Sequence, residues 1–177
     1  HRDLHLSIRR QRQMCIRDRN KEQARLEDRE TIRTLISSSA KFLDEGNYAQ
    51  FTELFLENGR YLLVARSDEI GRDMTWLDIS RDEHIALLEE SHQHVHDLAE
   101  RMHIVSVDQI LLDGLDNSAQ VQSSFAVFRT DTAGNTQVYA VGRYRDSLER
   151  DGKDWRIKER CVNVQTRIFR TPTPTPL

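Results

Sequence analysis

The sequence predicts one α+β domain, with N-terminal helices packed on a strongly curved, mainly antiparallel sheet. Three observations predict it. Apolar residues recur at helical spacing in the first part of the chain, four β-branched or aromatic-rich runs then follow in succession, and the last run changes the parity of its apolar positions. At 177 residues the chain suits a single domain with an ordinary core.

From Asn20 onward each element has its own signal. "RETIRTLISSSAKFLDEG" sets Ile32, Leu35, Ile36, Ala40 and Leu43 on one helical face, and Gly46 is a stop. Asn47 caps "YAQFTELF", with Gln50 as the reciprocal partner of a capping box and Phe51, Leu54 and Phe55 on one face. "GRYLLVA", after Asn58, reads as a strand, whereas "RSDEIGRDMTWLD" has mixed signals and reads as an irregular crossover. Ser80 and Glu83 form a second capping box, which opens a third helix through "DEHIALLEESHQHVHDLAER" ending near Met102.

The remainder reads as sheet. "HIVSVDQILLD", "SAQVQSSFAVFRT", "TQVYAVGRYRDSLERD" and "DWRIKERCVNVQTRIF" are separated by turn residues Asp113 to Asn117, Ala133 to Asn135, and Asp151 with Gly152, so antiparallel meanders are expected. In the last run Trp155 and Ile157 share one parity while Val162, Val164 and Ile168 share the other. A bulge near Glu159 to Cys161 would switch the buried face and curve the sheet.

Charge and cysteine usage narrow the function classes. Lys plus Arg (26) nearly balance Asp plus Glu (29), leaving −3, so no basic field favours nucleic acid and no polybasic tract favours anionic lipid. Proteins or small molecules are the expected partners. No apolar run approaches the roughly 20 residues of a membrane span, and no signal-peptide core is visible. Cys15 and Cys161 lie far apart and outside any CxxC, which fits a reducing, cytoplasmic setting.

Residues 1–19 stand apart. "HRDLHLSIRRQRQMCIRDR" is crowded with arginine and shows no periodicity that would fold onto a core. Met14 to Arg19 back-translates as ATG TGT ATA AGA GAC AG plus a base completing Arg, which looks like the transposon end used in sequencing libraries. The segment is read as adapter-derived or as a disordered basic arm; an RNA-binding tail would need interleaved aromatics, which it lacks. The expected organisation is therefore segment 1–19, one domain over 20–170, and a Pro/Thr tail over 171–177.

Three stretches carry a family resemblance: "FLDEGNYAQFTELFLENGRYLL", the "RMHIVSVDQI" entry to the sheet and "VGRYRDSLERDGKDWRIKERCVNVQTRIF". Over about residues 28–170 the chain resembles the small (beta) subunit of Rieske-type aromatic-ring-hydroxylating dioxygenases, members of the cone-shaped nuclear-transport-factor-2-like (SnoaL-like) superfamily. The most specific piece is the hairpin G-R-x-x-D-x-L, turn, W-R-I-x-x-R from Gly142 to Arg160. The "MTWLDISRDEHIALLEE" segment and the "TPTPTPL" ending depart from the usual pattern, which leaves room for an unusual substrate. The resemblance implies a noncatalytic structural subunit for aromatic catabolism, with no cofactor in this chain. The Rieske [2Fe–2S] cluster and mononuclear iron would lie in a large (alpha) subunit, in an assembly of three large and three small chains. A Rieske centre needs two Cys and two His, and only Cys161 is a credible native thiol here.

"SHQHVHD", Ser91 to Asp97, is the stretch most like a metal site. On a helix His92 and His96 would lie about 40° apart while His94 points away, and no further cluster supplies a third and fourth donor. No metal is expected. The alternative reading is a stand-alone lyase or isomerase, because cone folds also host acid/base enzymes, with a His–Asp pair drawn from His96, Asp97, His103, Asp44, Tyr61 and Asp78. Bland readings stand beside each: Asp44 at a solvated helix end, Tyr61 a half-buried strand aromatic, Asp97 paired with Arg101, and His103 at a helix end or interface. A ligand-binding or dimerisation module is a third reading.

The hairpin cations suit an interface. Arg143 and Arg145 share one strand face, and Arg156, Lys158 and Arg160 share a face of the last strand, with Glu149, Glu159 or a neighbouring subunit as acidic partners. Trp155 and Trp76 read as core or interface anchors. The candidate subunit interface is Arg143, Arg145, Trp155, Arg156 and Arg160. Pro172, Pro174 and Pro176 extend the tail and bar it from a ladder.

Overall fold

The computed structural model describes residues 2–67, 69, 71–94, 97–114, 117–169 and 176–177, and the side chains of 2–18 and 91–94 lie outside that description. In chain order the elements are α1 (Arg2–Asp44), α2 (Tyr48–Glu53), β1 (Phe55–Ser67), β2 (Arg72–Ser80), α3 (Arg81–His94), β3 (Glu100–Leu112), β4 (Ser118–Thr130), β5 (Thr136–Asp151) and β6 (Asp154–Val164). One six-stranded sheet runs β2-β1-β6-β5-β4-β3. All its pairs are antiparallel except β1 with β6. The α+β class and the four-strand meander are as the sequence predicts.

Local chemistry sets the helix ends. Gly46, at φ 66, ends α1, and the Asn47 N–H donates to the Phe42 carbonyl at 2.8 Å, a left-handed cap that glycine adopts without strain. Asn47 then caps α2: its Oδ1 accepts from the Gln50 N–H at 3.3 Å, and its side-chain amide donates to Gln50 Oε1 at 2.8 Å. At α3 the box closes reciprocally. Ser80 N–H and Oγ–H each donate to the Glu83 carboxylate at 2.8 Å and lower its pKa, while the Glu83 N–H donates to Ser80 Oγ at 3.3 Å.

Four expectations change. The crossover after β1 is a strand, β2, paired with β1 from Arg60↔Ser80 to Ser67↔Arg72. Its alternation is weak because it is an edge strand with no fully buried position. The third helix ends at His94, and Arg101 and Met102 already belong to β3, where they pair with Arg129 and Phe128. The backbone of α1 is helical from Arg2, through the stretch without periodicity, as its many Arg, Gln and Leu residues favour locally. Among its described side chains, the buried positions run from Asp28 onward.

The fourth change concerns the bulge. Ser147 pairs with Glu159 but Leu148 pairs with Ile157, so Lys158 is the extra residue on β6. Trp155 and Ile157 are therefore buried on one side of the bulge, and Arg160, Val162 and Val164 on the other. Arg160 does not share a face with Arg156 and Lys158. The bulge turns it inward.

The helix-covered face of the sheet is the core. Tyr61, Arg160, Asp146, Val121 and Ile110 align across five strands and are all buried. Gly142 opens a neighbouring row, where an added Cβ would stand 2.4 Å from the Asn163 carbonyl oxygen and 2.8 Å from the Phe125 ring. That ring stacks on Tyr144 at 4.4 Å. Gly142→Ala is expected to cost about 1–3 kcal/mol, because the backbone of β6 or the aromatic stack must move, measured as a lower denaturation midpoint.

Candidate functional site

The helix-covered face is built around a buried ion pair. Arg160 Nε and Nη2 donate to the two oxygens of Asp146 at 2.8 and 3.0 Å, while Nη1 donates to Ser39 Oγ of α1 at 2.9 Å. Its guanidinium lies 4.6 Å from the centre of the Tyr144 ring. Burial alone would lower the Arg160 pKa, but the charge and hydrogen bonds of Asp146 outweigh it, so the group stays cationic with a raised value.

Beside it, Tyr61 and His84 meet. Their ring centres are 4.5 Å apart, and Phe51 and Phe55 complete an aromatic cage around the imidazole. His84 Nε2 is buried without a hydrogen-bond partner. Burial, helped by the charge on Arg160, pushes the imidazole down to about 4, so it is neutral at pH 7. Burial likewise raises the Tyr61 phenol. Its hydroxyl donates to the Leu177 oxygen at 3.1 Å and accepts from the Leu177 N–H at 3.2 Å.

A third group sits where α1 ends. Asp44 accepts from the His103 N–H at 2.9 Å, and His103 Nδ1 lies 2.6 Å from Asp44 Oδ1. The His103 side chain is 2% exposed and its Nε2 is buried without a partner. Asp44 also lines a cleft of about 440 Å³ with Tyr48, Asp97, Ala99, Glu100 and Arg101. Asp97 is committed there: Arg129 donates to both its oxygens at 2.6 and 3.0 Å, Arg101 lies at 3.5 Å, and these bonds hold its carboxyl below the ordinary range. Two of the cleft's acids are thus engaged, Asp97 by Arg129 and Arg101, and Asp44 by the His103 N–H and ring.

The SnoaL-like domain family matches residues 24–161. The chain belongs to that family. Its nuclear-transport-factor-2-like fold places helices over one face of the sheet, as described. This SnoaL-like domain is 21% identical over 140 residues to the 2-aminobenzenesulfonate 2,3-dioxygenase subunit beta of Alcaligenes sp, covering 79% of this chain and 93% of that one. Among solved structures it superposes on a beta subunit ascribed to an aromatic-ring-hydroxylating dioxygenase of Novosphingobium aromaticivorans, with TM-score 0.69 and 19% identity over 81% of this chain and 92% of that one. A chain of naphthalene 1,2-dioxygenase with indole bound gives TM-score 0.64 and 16% identity, over 78% of this chain and 79% of that one.

Within the SnoaL-like domain the predicted residues separate into groups. Asp44 and His103 are paired, and Asp97 shares their cleft. Tyr61 faces His84 instead. Asp78 forms an exposed two-bond pair with Arg60 at 2.7 and 2.5 Å. His96 lies outside the described residues, as do the side chains of His92 and His94. Among the described residues no group of three or more His, Cys, Asp or Glu could hold a metal ion, and none of the described helices is long and apolar enough to cross a membrane.

Of the interface candidates, Trp155 is 3% exposed and donates its indole N–H to Asp28 at 3.1 Å, and Arg160 is fully buried. Arg156 donates to Asp151 at 2.8 Å and to the Glu53 carbonyl. Arg143 and Arg145 are exposed on the outer face. Of the acids expected beside the two cationic rows, Glu149 pairs with Lys158 at 2.6 Å, within the second row, while Glu159 lies 3.8 Å from Arg60 outside them. Trp76 is 39% exposed, with its ring 6.0 Å from Phe169. Sequence reasoning missed His84 and Leu177. His84 could have been found from its place on the buried stripe with Leu88, four residues on.

Proposed function

We propose that this chain is the small, noncatalytic subunit of a Rieske non-haem iron ring-hydroxylating oxygenase, supporting a large catalytic subunit in aromatic compound catabolism in the cytoplasm. One observation carries the reading: the hairpin most like the dioxygenase beta subunits spends its distinctive residues on scaffold. Gly142 admits the Phe125–Tyr144 stack, Asp146 and Arg160 pair, Leu148 and Ile157 are fully buried, and Trp155 ties β6 to Asp28 of α1. Among the side chains the hairpin leaves outward are Arg143 and Arg145, suited to acidic groups on a partner. The assembly is three large and three small chains, with the Rieske cluster and mononuclear iron in the large ones. The domain spans 20–170, and residues 1–19 do not belong to it.

The second reading, a lyase or isomerase, draws on the His103–Asp44 pair, where the carboxylate would orient an imidazole for proton transfer. The burial of His103 and the hydrogen bonds that already engage Asp44 and Asp97 speak against substrate access. A ligand-binding or dimerisation module draws on no such pair.

Co-expression with a large subunit from the same genomic neighbourhood decides among these. The chain is expected to co-purify with it as an iron-containing complex. Arg143→Glu with Arg145→Glu should weaken association at least about tenfold while leaving the chain's own melting midpoint unchanged. His103→Gln should leave turnover of the complex intact. Dehydration or isomerisation by the isolated chain, abolished by His103→Gln, would overturn the subunit reading.

A further inference from the structure

We propose that the outer corner of the sheet formed by Met102, Ile104, Phe128 and Val138, with Arg143 and Arg145 at its margin, is the docking surface for a segment of the large subunit that carries apolar side chains next to carboxylates. This deepens the subunit reading and rests on it. Strand register defines the corner. Met102, Phe128 and Val138 form one cross-strand row, and Ile104, Ala126 and Val141 form another. Both point away from the helices, because His103, Val127 and Ala140, in the row between them, are buried on the other face. A sheet face turned to water ordinarily carries polar residues, and the rows that follow do: Ser106, Ser124 and Arg143, then Gln109, Gln122 and Arg145. The corner does not. Met102 is 58%, Ile104 53% and Val138 59% exposed, and apolar side chains this open in neighbouring rows form a patch rather than scattered surface hydrophobes.

An apolar centre with arginine at its margin is the anatomy of a protein interface. The arginines define what the occupant carries. Among the described residues neither has a hydrogen bond or ion pair, and their cross-strand neighbours are uncharged: Ser124 and Asn163 for Arg143, Gln122 and Cys161 for Arg145. Acids elsewhere on this face are engaged, Asp78 and Glu159 with Arg60, and Asp108 with the Ser124 hydroxyl at 2.7 Å. A second copy seated face to face would bring only such engaged acids to the two cations, whereas a different chain can bring free ones. Two positions apart on β5, Arg143 and Arg145 start about 7 Å from each other, so the segment needs two carboxylates at about that spacing beside its apolar side chains.

The test is association of the full chain with the co-expressed large subunit, read in low and in high salt. Ile104→Thr with Val138→Thr keeps β-branched side chains on the strands and should weaken association at least about tenfold in both, because an apolar contact is not screened. The loss caused by Arg143→Glu with Arg145→Glu should instead shrink in high salt. Leu111→Thr, also on β3 and 52% exposed but beyond the polar rows, should leave association unchanged. Melting midpoints of the isolated variants separate lost binding from lost folding, and Met102→Gln with Val138→Thr replaces the first pair if Ile104→Thr unfolds the strand. A complex that forms as tightly with the corner altered, or that Leu111→Thr weakens equally, would overturn the proposal. So would self-association of the isolated chain that the corner changes abolish, since the occupant would then be a second copy. Those results leave the subunit reading standing, whereas an unaltered chain that binds no large subunit sinks that reading and this surface with it.

Discussion

Asp146→Ala is expected to destabilise the chain by about 3–5 kcal/mol, a large share of the roughly 5–15 kcal/mol that holds an ordinary domain folded. Asp146 and Arg160 have side chains 0% and 1% exposed, so water cannot take over when one partner is removed. The guanidinium would keep its charge with only Ser39 Oγ and the Tyr144 ring beside it. It lies mid-sheet, so no small movement brings it to solvent. The measurement is the denaturation midpoint of the chain, alone or in its complex. Replacing both partners by apolar residues, Asp146→Leu with Arg160→Met, should recover most of the loss, because no uncompensated charge is then buried. A loss under about 1 kcal/mol for Asp146→Ala would mean that the guanidinium reaches water. The same pair explains a sequence feature: the D and final R of the G-R-x-x-D-x-L, W-R-I-x-x-R pattern are each other's counter-charges.

Local signals made much of this fold legible. The bounds of β4 and β5 follow from flanking turn residues, the Asn47 cap and the Ser80–Glu83 box are set by side chains three positions apart, and the Gly46 stop by that residue's own backbone freedom. The parity switch in β6 betrayed its bulge, displaced by a residue to Lys158. Apart from the start of α1, where local helix propensity was overlooked, failures fall where stability comes from distant partners. β2 is held by pairing with β1 at the sheet edge, so its own apolar pattern is faint. The chain leaves α3 before Asp97, whose carboxylate is fixed by Arg129 of β4, 32 positions away. The candidate site shares this limit. Asp44 and His103 were visible as residue types but not as a pair, since 59 positions separate them. Leu177 was hidden by the prolines around it.

Acid should weaken the fold through His84. In the folded chain its imidazole is held down to about 4 against an ordinary value near 6.5, because burial among Phe51, Phe55 and Tyr61, with the Arg160 charge nearby, disfavours the imidazolium. The unfolded chain therefore binds the proton more readily. The contribution is fully present above the unfolded value of 6.5 and is lost as pH falls towards the folded value of about 4. Over that window the loss reaches about 3 kcal/mol, of which about 2.5 should be apparent between pH 7 and pH 4.5. Denaturant unfolding at those two pH values measures it. His84→Phe supplies the control: an aromatic ring keeps the packing against Phe51 and Tyr61 but cannot take a proton. The difference between the two chains across the window then isolates His84 from other titrating groups, Asp97 among them, whose lowered carboxyl yields its contribution only under stronger acid. Equal acid sensitivity in both chains would show that the imidazole is solvated when folded.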